Sequence, residues 1–255
     1  MVRLINKADY VQSLEKGLKV LKAFGSDKKV MTLSEVAEVT KMSRAAARRF
    51  LLTYTDLGYM HSDGKYFELT SRVLDLGYTY LSSLDITEIA KPYMLKLSNL
   101  VNESSSIATL DKNEVVYLMR QQVSRIMTIN LGIGTRLPAH VTSMGRTIMA
   151  MNDFKEELLD VFEYEQYTIN TISNKIELKK ELQKIRQQGW ALVDQELEAG
   201  VRSISAPIFS KDGSVKYAMN IGCQANRVSK DRLITEFLPH LKEAAGNISS
   251  ALKKI

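Results

Sequence analysis

Arg44, Arg48 and Arg49 stand close together, with the three alanines Ala45, Ala46 and Ala47 between the first and the second. An arginine guanidinium forks onto guanine edges or phosphate oxygens, and small side chains between arginines let a helix approach the floor of a major groove. Ser43, just before them, is a residue type whose hydroxyl accepts from an orphan N–H at a helix start. Lys65 follows Asp63-Gly64, a favoured hairpin-turn dipeptide, and offers a second cation for a backbone phosphate. Arg44, Ala45 and Arg48 are the candidates for groove contact, Ser43 and Arg49 for phosphate contact or helix support, and Lys65 for the wing.

These residues need elements to hold them. Residues 33–40 place Leu33, Val36 and Ala37 at helical spacing, Lys41-Met42 make a turn, and residues 44–57 form a longer helix that stops at Gly58. Its later half turns Phe50, Leu51, Tyr54 and Leu57 toward a core. Residues 59–61 and 65–68 then read as the two strands of a hairpin. A short helix pair with arginines also occurs in ordinary globular proteins; a hairpin directly after it is what points to a winged helix-turn-helix. Charge agrees: residues 1–84 hold 13 Lys+Arg against 9 Asp+Glu, the remaining residues 22 against 20. A basic head favours salt-sensitive phosphate contact. Residues 10–24 read as a first helix, residues 71–81 as a helix capped by Thr70, and residues 86–101 as a long amphipathic helix with Pro92 as a kink or a break.

From Ser105 the period changes. Residues 106–110, 114–120, 125–130, 190–194, 201–208 and 215–222 read as strands. Residues 143–151, 154–162, 176–188 and 230–253 read as helices. About six strands with interspersed helices fit an α+β sensor domain around an antiparallel sheet.

Composition excludes several classes. The 45% hydrophobic and 25% charged shares are those of a globular chain, and no apolar run approaches the ~20 residues that span a bilayer. Residues 1–7 hold no apolar stretch of signal-peptide length, and the single cysteine, Cys223, forms no internal disulfide; a cytoplasmic protein with no membrane partner is the expectation. His61, His140, His240 and Cys223 have no metal-ligand spacing, so neither metal nor cofactor is expected. No Gly-x-Ser-x-Gly elbow, phosphate-binding glycine loop or His-Glu-x-x-His is present, and no catalytic residue is assigned.

Several separated motifs resemble the IclR family of bacterial transcription regulators. They are YVQSLEKGL at 10–18, SRAAARRFLL at 43–52, LGY at 57–59, LTSRVLDLGY at 69–78, ESSS at 103–106, GTRLPAHVTSMGR at 134–146 and GVRSISAP at 200–207. The chain is similar in particular to the branch that controls aromatic-acid catabolism through the β-ketoadipate pathway. The resemblance implies a winged helix-turn-helix over 1–70, a linker helix over 71–85 and a GAF-like effector domain over 86–255, in dimers that pair into tetramers. It implies double-stranded operator DNA and a small organic acid, an aromatic acid or β-ketoadipate, as partners. The positions matching the family's effector pocket are Ile126, Ser143, Met144, Asp194, Ser203, Asn220 and Gly222. Ile126 and Met144 would be apolar walls, and Ser143, Ser203 and Asn220 would hydrogen-bond a carboxylate or hydroxyl. A helix starting near Ser143 would aim backbone N–H groups at an anion. Lys16 departs from the family, which often has arginine there, and a forked contact at that point is lost.

Plainer uses stand open beside these. Ser203 and Asn220 also serve to satisfy strand backbones, Arg136 and Arg202 are carboxylate clamps or surface ion-pair partners, and Cys223 is a small buried hydrophobe. The expected function is a ligand-responsive DNA-binding regulator in which effector and operator alter each other's affinity through the linker helix. The alternatives are a regulator of the same type responding to glyoxylate or pyruvate, and a sensor module that does not bind DNA.

Overall fold

A computed structural model describes residues 6, 9–25, 27–123, 131–152 and 156–254. The chain divides into two compact units, Met1–Ser83 and Leu84–Ile255.

In the first unit, helices α1 (Gln12–Lys22), α2 (Leu33–Thr40) and α3 (Arg44–Asp56) surround Val20, Val36, Ala47 and Leu51. The N-terminus of α2 is a reciprocal capping box: the Thr32 hydroxyl accepts from the Glu35 backbone, and the Glu35 carboxylate accepts from Thr32 N at 2.7 Å. Lys41, at φ 56°, ends α2 in the left-handed region, and the Ser43 hydroxyl starts α3 by accepting from Ala46 N at 3.2 Å. Strands β2 (Met60–Ser62) and β3 (Tyr66–Leu69) form the expected hairpin, with Asp63 Oδ1 accepting from Lys65 N and Tyr66 N across the turn. A third strand, β1 (Val30–Thr32), pairs antiparallel with β3 and was not expected, because three residues are too few to show alternation. The helix expected from Ser71 begins as a 3-10 turn, Ser71–Val73, and becomes α4 (Leu74–Ser82).

In the second unit, α5 (Asp85–Val101) runs through Pro92 without a break. Pro92 and Glu88, whose carbonyl loses its i+4 donor, both lie on the exposed side of the helix. Six antiparallel strands follow: β4 (Ser104–Asp111), β5 (Glu114–Gln121), β6 (Arg136–Pro138), β7 (Ala191–Asp194), β8 (Val201–Phe209) and β9 (Val215–Gln224). Their order across the sheet is β6-β5-β4-β9-β8-β7. The short β6 was not expected as a strand, and the expected strand at 125–130 lies outside the described residues. The remaining helices are α6 (Ser143–Met151), α7 (Lys175–Gln188), α8 (Lys230–Arg232) and α9 (Leu238–Leu252). The helix expected over 230–253 contains a π-turn, Leu233–Phe237, between α8 and α9, and the one expected over 154–162 is a 3-10 segment, Glu156–Val161, in its described part.

Alternation sorts the strands onto two faces. Ile107, Ile204, Ile208, Met219 and Ile221 pack with Ile86 and Met94 of α5 and Leu241 and Ile248 of α9. On the other face Ala108, Val115 and Ala218 pack with Ile148 of α6 and Leu178 and Leu182 of α7. Farther along this second face the residues become small and polar: Ser104, Ser106, Ser203, Asn220 and Gly222. Apolar packing ceases there, and a cavity opens.

Candidate effector cavity and nucleic-acid face

The cavity measures about 380 Å³. Strand register builds its floor in two rows. Arg120 faces Ser106, and Ser106 faces Asn220; in the next row Ser104 faces Gly222, and Gly222 faces Ser203. A Cβ at Gly222 would meet no atom within 4 Å, so the floor is open there. The roof is the start of α6, with Thr142, Ser143 and Met144, together with the β7–β8 loop residues Glu196, Leu197 and Glu198. Roof and floor touch where the Ser203 hydroxyl donates to Ser143 Oγ at 2.9 Å.

The start of α6 is held from behind. Thr142 caps it by accepting from Gly145 N, and Gly145 lies so close to the turn at Ala139–Val141 that a Cβ there would stand 2.2 Å from the Ala139 carbonyl oxygen. Arg146, one turn further on, is 0% exposed. Its Nε donates to the His140 carbonyl at 2.6 Å, and Nη1 and Nη2 donate to the two Glu196 oxygens at 2.7 and 2.5 Å. Glu196 also accepts from Ile172 N, and the Thr171 hydroxyl donates to its carbonyl. This forked pair fastens the β7–β8 loop over the cavity.

Among the described lining residues Arg120 is the only cation. Burial pulls its guanidinium below the ordinary range. Burial also pushes the Tyr117 phenol, which lines the cavity, up to about 12, so it remains a hydrogen-bond donor at neutral pH. Asn220 is 7% exposed and its Oδ1 has no hydrogen-bond partner among the described residues.

The structure brings Ser143, Met144, Ser203, Asn220 and Gly222 together around this space. It does not bring Asp194 there. Asp194 faces Arg202 across β7 and β8, accepts from its Nε at 2.5 Å and pairs with Lys230 at 2.8 Å. Burial opposes its ionisation, but the hydrogen bonds from Arg202 and Lys230 outweigh that and hold its carboxyl below the usual range. Ile126 lies outside the described residues. Arg136 and Arg202 both hold carboxylates of the chain itself, Arg136 those of Asp111 and Glu114. His140 is wedged against Phe162 and Tyr164, and burial followed by the nearby Arg146 charge lowers it to about 4. It does not line the cavity. Sequence reasoning missed Arg120, Ser104, Ser106 and Glu196. Ser104 and Ser106 belong to a run of three consecutive serines, and Arg120 stands one residue from the end of β5, where a charge is ordinary, so the sequence carried no signal for them. Among the described residues no group of His, Cys, Asp or Glu is placed to hold a metal ion.

In the first unit Ser43, Arg44, Ala45, Arg48 and Arg49 are all exposed, while Ala47 and Leu51 on the opposite side of α3 are buried. Arg44 and Arg48 are one turn apart and share a face. Lys65 is exposed at the hairpin turn, its Nζ 4.9 Å from the Tyr66 ring centre. Beside the α2–α3 turn, Lys16, Lys19, Lys22 and Lys41 line a groove between α1 and α2.

The first unit matches the IclR helix-turn-helix domain over residues 13–64, and the family described as bacterial transcriptional regulator IclR C-terminal matches residues 78–250. The chain is 38% identical to the Pca regulon regulatory protein of Pseudomonas putida, over 96% of this chain and 85% of that one. It is 35% identical to the p-hydroxybenzoate hydroxylase transcriptional activator of Acinetobacter baylyi, over 96% and 93%. A crystal structure of a Rhodococcus sp. RHA1 protein superposes with a TM-score of 0.88 at 45% identity, over 96% of this chain and 99% of the other. The two family models match in chain order over most of the chain, and the chain belongs to the IclR family of bacterial transcriptional regulators.

Proposed function

We propose that this regulator controls genes of aromatic-acid catabolism, binding double-stranded operator DNA through its first unit and a small organic acid in the cavity of its second. The observation that carries the acid is Arg120, the one cation among the described residues lining a cavity of about 380 Å³, within the range of about 300–1,000 Å³ used for small ligands. Ser143, Ser203 and Asn220 supply hydrogen bonds, Met144 an apolar wall, and Gly222 the space. The names of the relatives, a Pca regulon regulator and an activator of p-hydroxybenzoate hydroxylase, favour an aromatic acid or β-ketoadipate over glyoxylate or pyruvate.

On the DNA side, Arg44, Ala45 and Arg48 enter the major groove, Ser43 and Arg49 support the helix or touch phosphate, and Lys65 contacts the backbone from the wing. Leu74 and Tyr78 of α4 are 72% and 70% exposed, which supports a role for this helix as a homodimer contact, with dimers pairing further. Residues 1–70, 71–85 and 86–255 then act as reader, linker and sensor. Effector and operator must change each other's affinity by the same factor. No helix among the described residues is long and apolar enough to cross a membrane, in keeping with a cytoplasmic regulator.

A thermal-shift series with protocatechuate, 4-hydroxybenzoate, β-ketoadipate, glyoxylate and pyruvate tests the acid. A ligand that binds only the folded state raises the midpoint with the logarithm of its concentration over Kd. A selective rise with an aromatic acid or β-ketoadipate is expected and should vanish in Arg120→Ala. A rise with glyoxylate or pyruvate alone would overturn the aromatic assignment.

A further inference from the structure

The groove between α1 and α2 is lined by lysines, and no carboxylate is among its described lining residues. Lys16, Lys19 and Lys22 come from α1 and Lys41 from the end of α2, over a floor of Ala23, Val39 and Met42. The lysines of α1 recur every third residue, so they form a slanting row along one side of the helix. At 1.5 Å per residue that row is roughly 9 Å long. Lys41 is set against it by the left-handed turn, at φ 56°, that ends α2.

These charges are available to a partner. Lys19, Lys22 and Lys41 are exposed, and of the three only Lys19 has a carboxylate partner among the described residues, Glu15 at 2.8 Å. That pair lies in water, where such a contact holds weakly. The floor offers little to an apolar guest, since Val39 is exposed but Ala23 and Met42 are half-buried. A protein partner needs a buried apolar anchor, and charge without one favours a polyanion.

The position of the groove says which polyanion. Lys41 stands two residues before Ser43, the cap of α3, and three before Arg44. A helix seated in a major groove lies between two phosphate backbones, so the turn that leads into α3 comes up beside one of them. A single strand carries a phosphate about every 3.4 Å of duplex axis, and a row of roughly 9 Å spans about three.

We propose that the groove between α1 and α2 is a second DNA contact, holding the phosphate backbone beside the major groove through Lys19, Lys22 and Lys41. This rests on reading α3 as the helix that enters the groove. Lysine suits the task, because a point charge on a flexible stem follows a backbone without regard to its bases. The contact adds affinity and salt sensitivity and leaves the choice of sequence to α3.

Fluorescence anisotropy of the full-length protein tests this, with two labelled duplexes of about 40 base pairs and different sequence, from about 50 to about 200 mM salt. Lys19→Gln, Lys22→Gln and Lys41→Gln together should lower the slope of log affinity against log salt by about two to three per bound protomer. Both duplexes should lose affinity in the same proportion, by at least about tenfold near 0.1 M salt. Arginine at the same three positions keeps the charges and should keep the slope. An unchanged slope in the glutamine variant would overturn the contact and leave α3 standing as the reader. A loss confined to one duplex, or an equal loss in the arginine variant, would also overturn it, since the first reports base reading and the second a change of fold. Wild-type protein that bound neither duplex at the lowest salt would instead overturn the reading of α3.

Discussion

Arg48 and Arg146 each stand on the early turns of a helix that begins with a hydroxyl cap, Ser43 for α3 and Thr142 for α6. Their surroundings are opposite. Arg48 is exposed with Ala45 and Arg49 beside it, while Arg146 is 0% exposed with every nitrogen of its fork engaged by Glu196 and His140. One guanidinium is left in water with its charge available to a partner outside the chain. The other has been desolvated and spent on holding a loop over a cavity. Residue type and helix position do not distinguish a reader from a clamp; burial and the presence of an internal carboxylate do.

The largest expected effect breaks the clamp. Arg146→Ala leaves the Glu196 carboxylate buried without its cation and should destabilise the second unit by about 3–5 kcal/mol, measured by urea unfolding followed at Trp190. The same truncation at Arg48 should leave the unfolding midpoint unchanged and weaken specific operator binding by about 1–3 kcal/mol in a fluorescence-anisotropy titration. If Arg48→Ala destabilised the fold, or Arg146→Ala did not, the contrast would fail. Acid sharpens it further. His140 has a folded value near 4 against 6.5 for the free side chain, so the unfolded chain binds the proton first as pH falls. The His140 contribution to stability should therefore be lost from about pH 6.5 toward pH 4 and be constant below, and His140→Phe should remove that part of the slope in thermal melts across pH. The smallest effect belongs to the wing: Lys65→Ala should weaken binding to all duplexes alike and reduce the slope of log affinity against log salt by about one.

The reading unit was legible in the sequence because each of its parts is local. Ser43, the alanine–arginine run, Gly58 and Asp63-Gly64 lie within about two dozen residues and carry cap, face, stop and turn. The sheet unit was legible as alternation, which gave β4, β5, β7, β8 and β9, but not the three-residue strands β1 and β6, whose pairing is decided by neighbours far along the chain. The cavity was legible only in part. Ser143, Met144, Ser203, Asn220 and Gly222 were named through the family resemblance, and the geometry gathers them. Asp194 was named with them, yet strand register sets it opposite Arg202, a fact no single strand reveals. Arg120 was missed for the converse reason. Nothing in its own strand marks a cation for the interior, and only the register with Ser106, and of Ser106 with Asn220, shows what it looks across at.

Gly222 occupies the middle of the cavity floor with ordinary strand backbone, and an added methyl there would strike nothing of the protein. Most positions in a packed interior answer to their neighbours, so altering them taxes the fold before it reaches the ligand. Here the fold is indifferent and only the guest is affected. Alanine or serine at 222 would narrow the cavity by one small group at little loss of stability, so that, with the effector seated as proposed, this position is a dial on effector size that descendants of such a chain can turn without first acquiring a compensating change elsewhere.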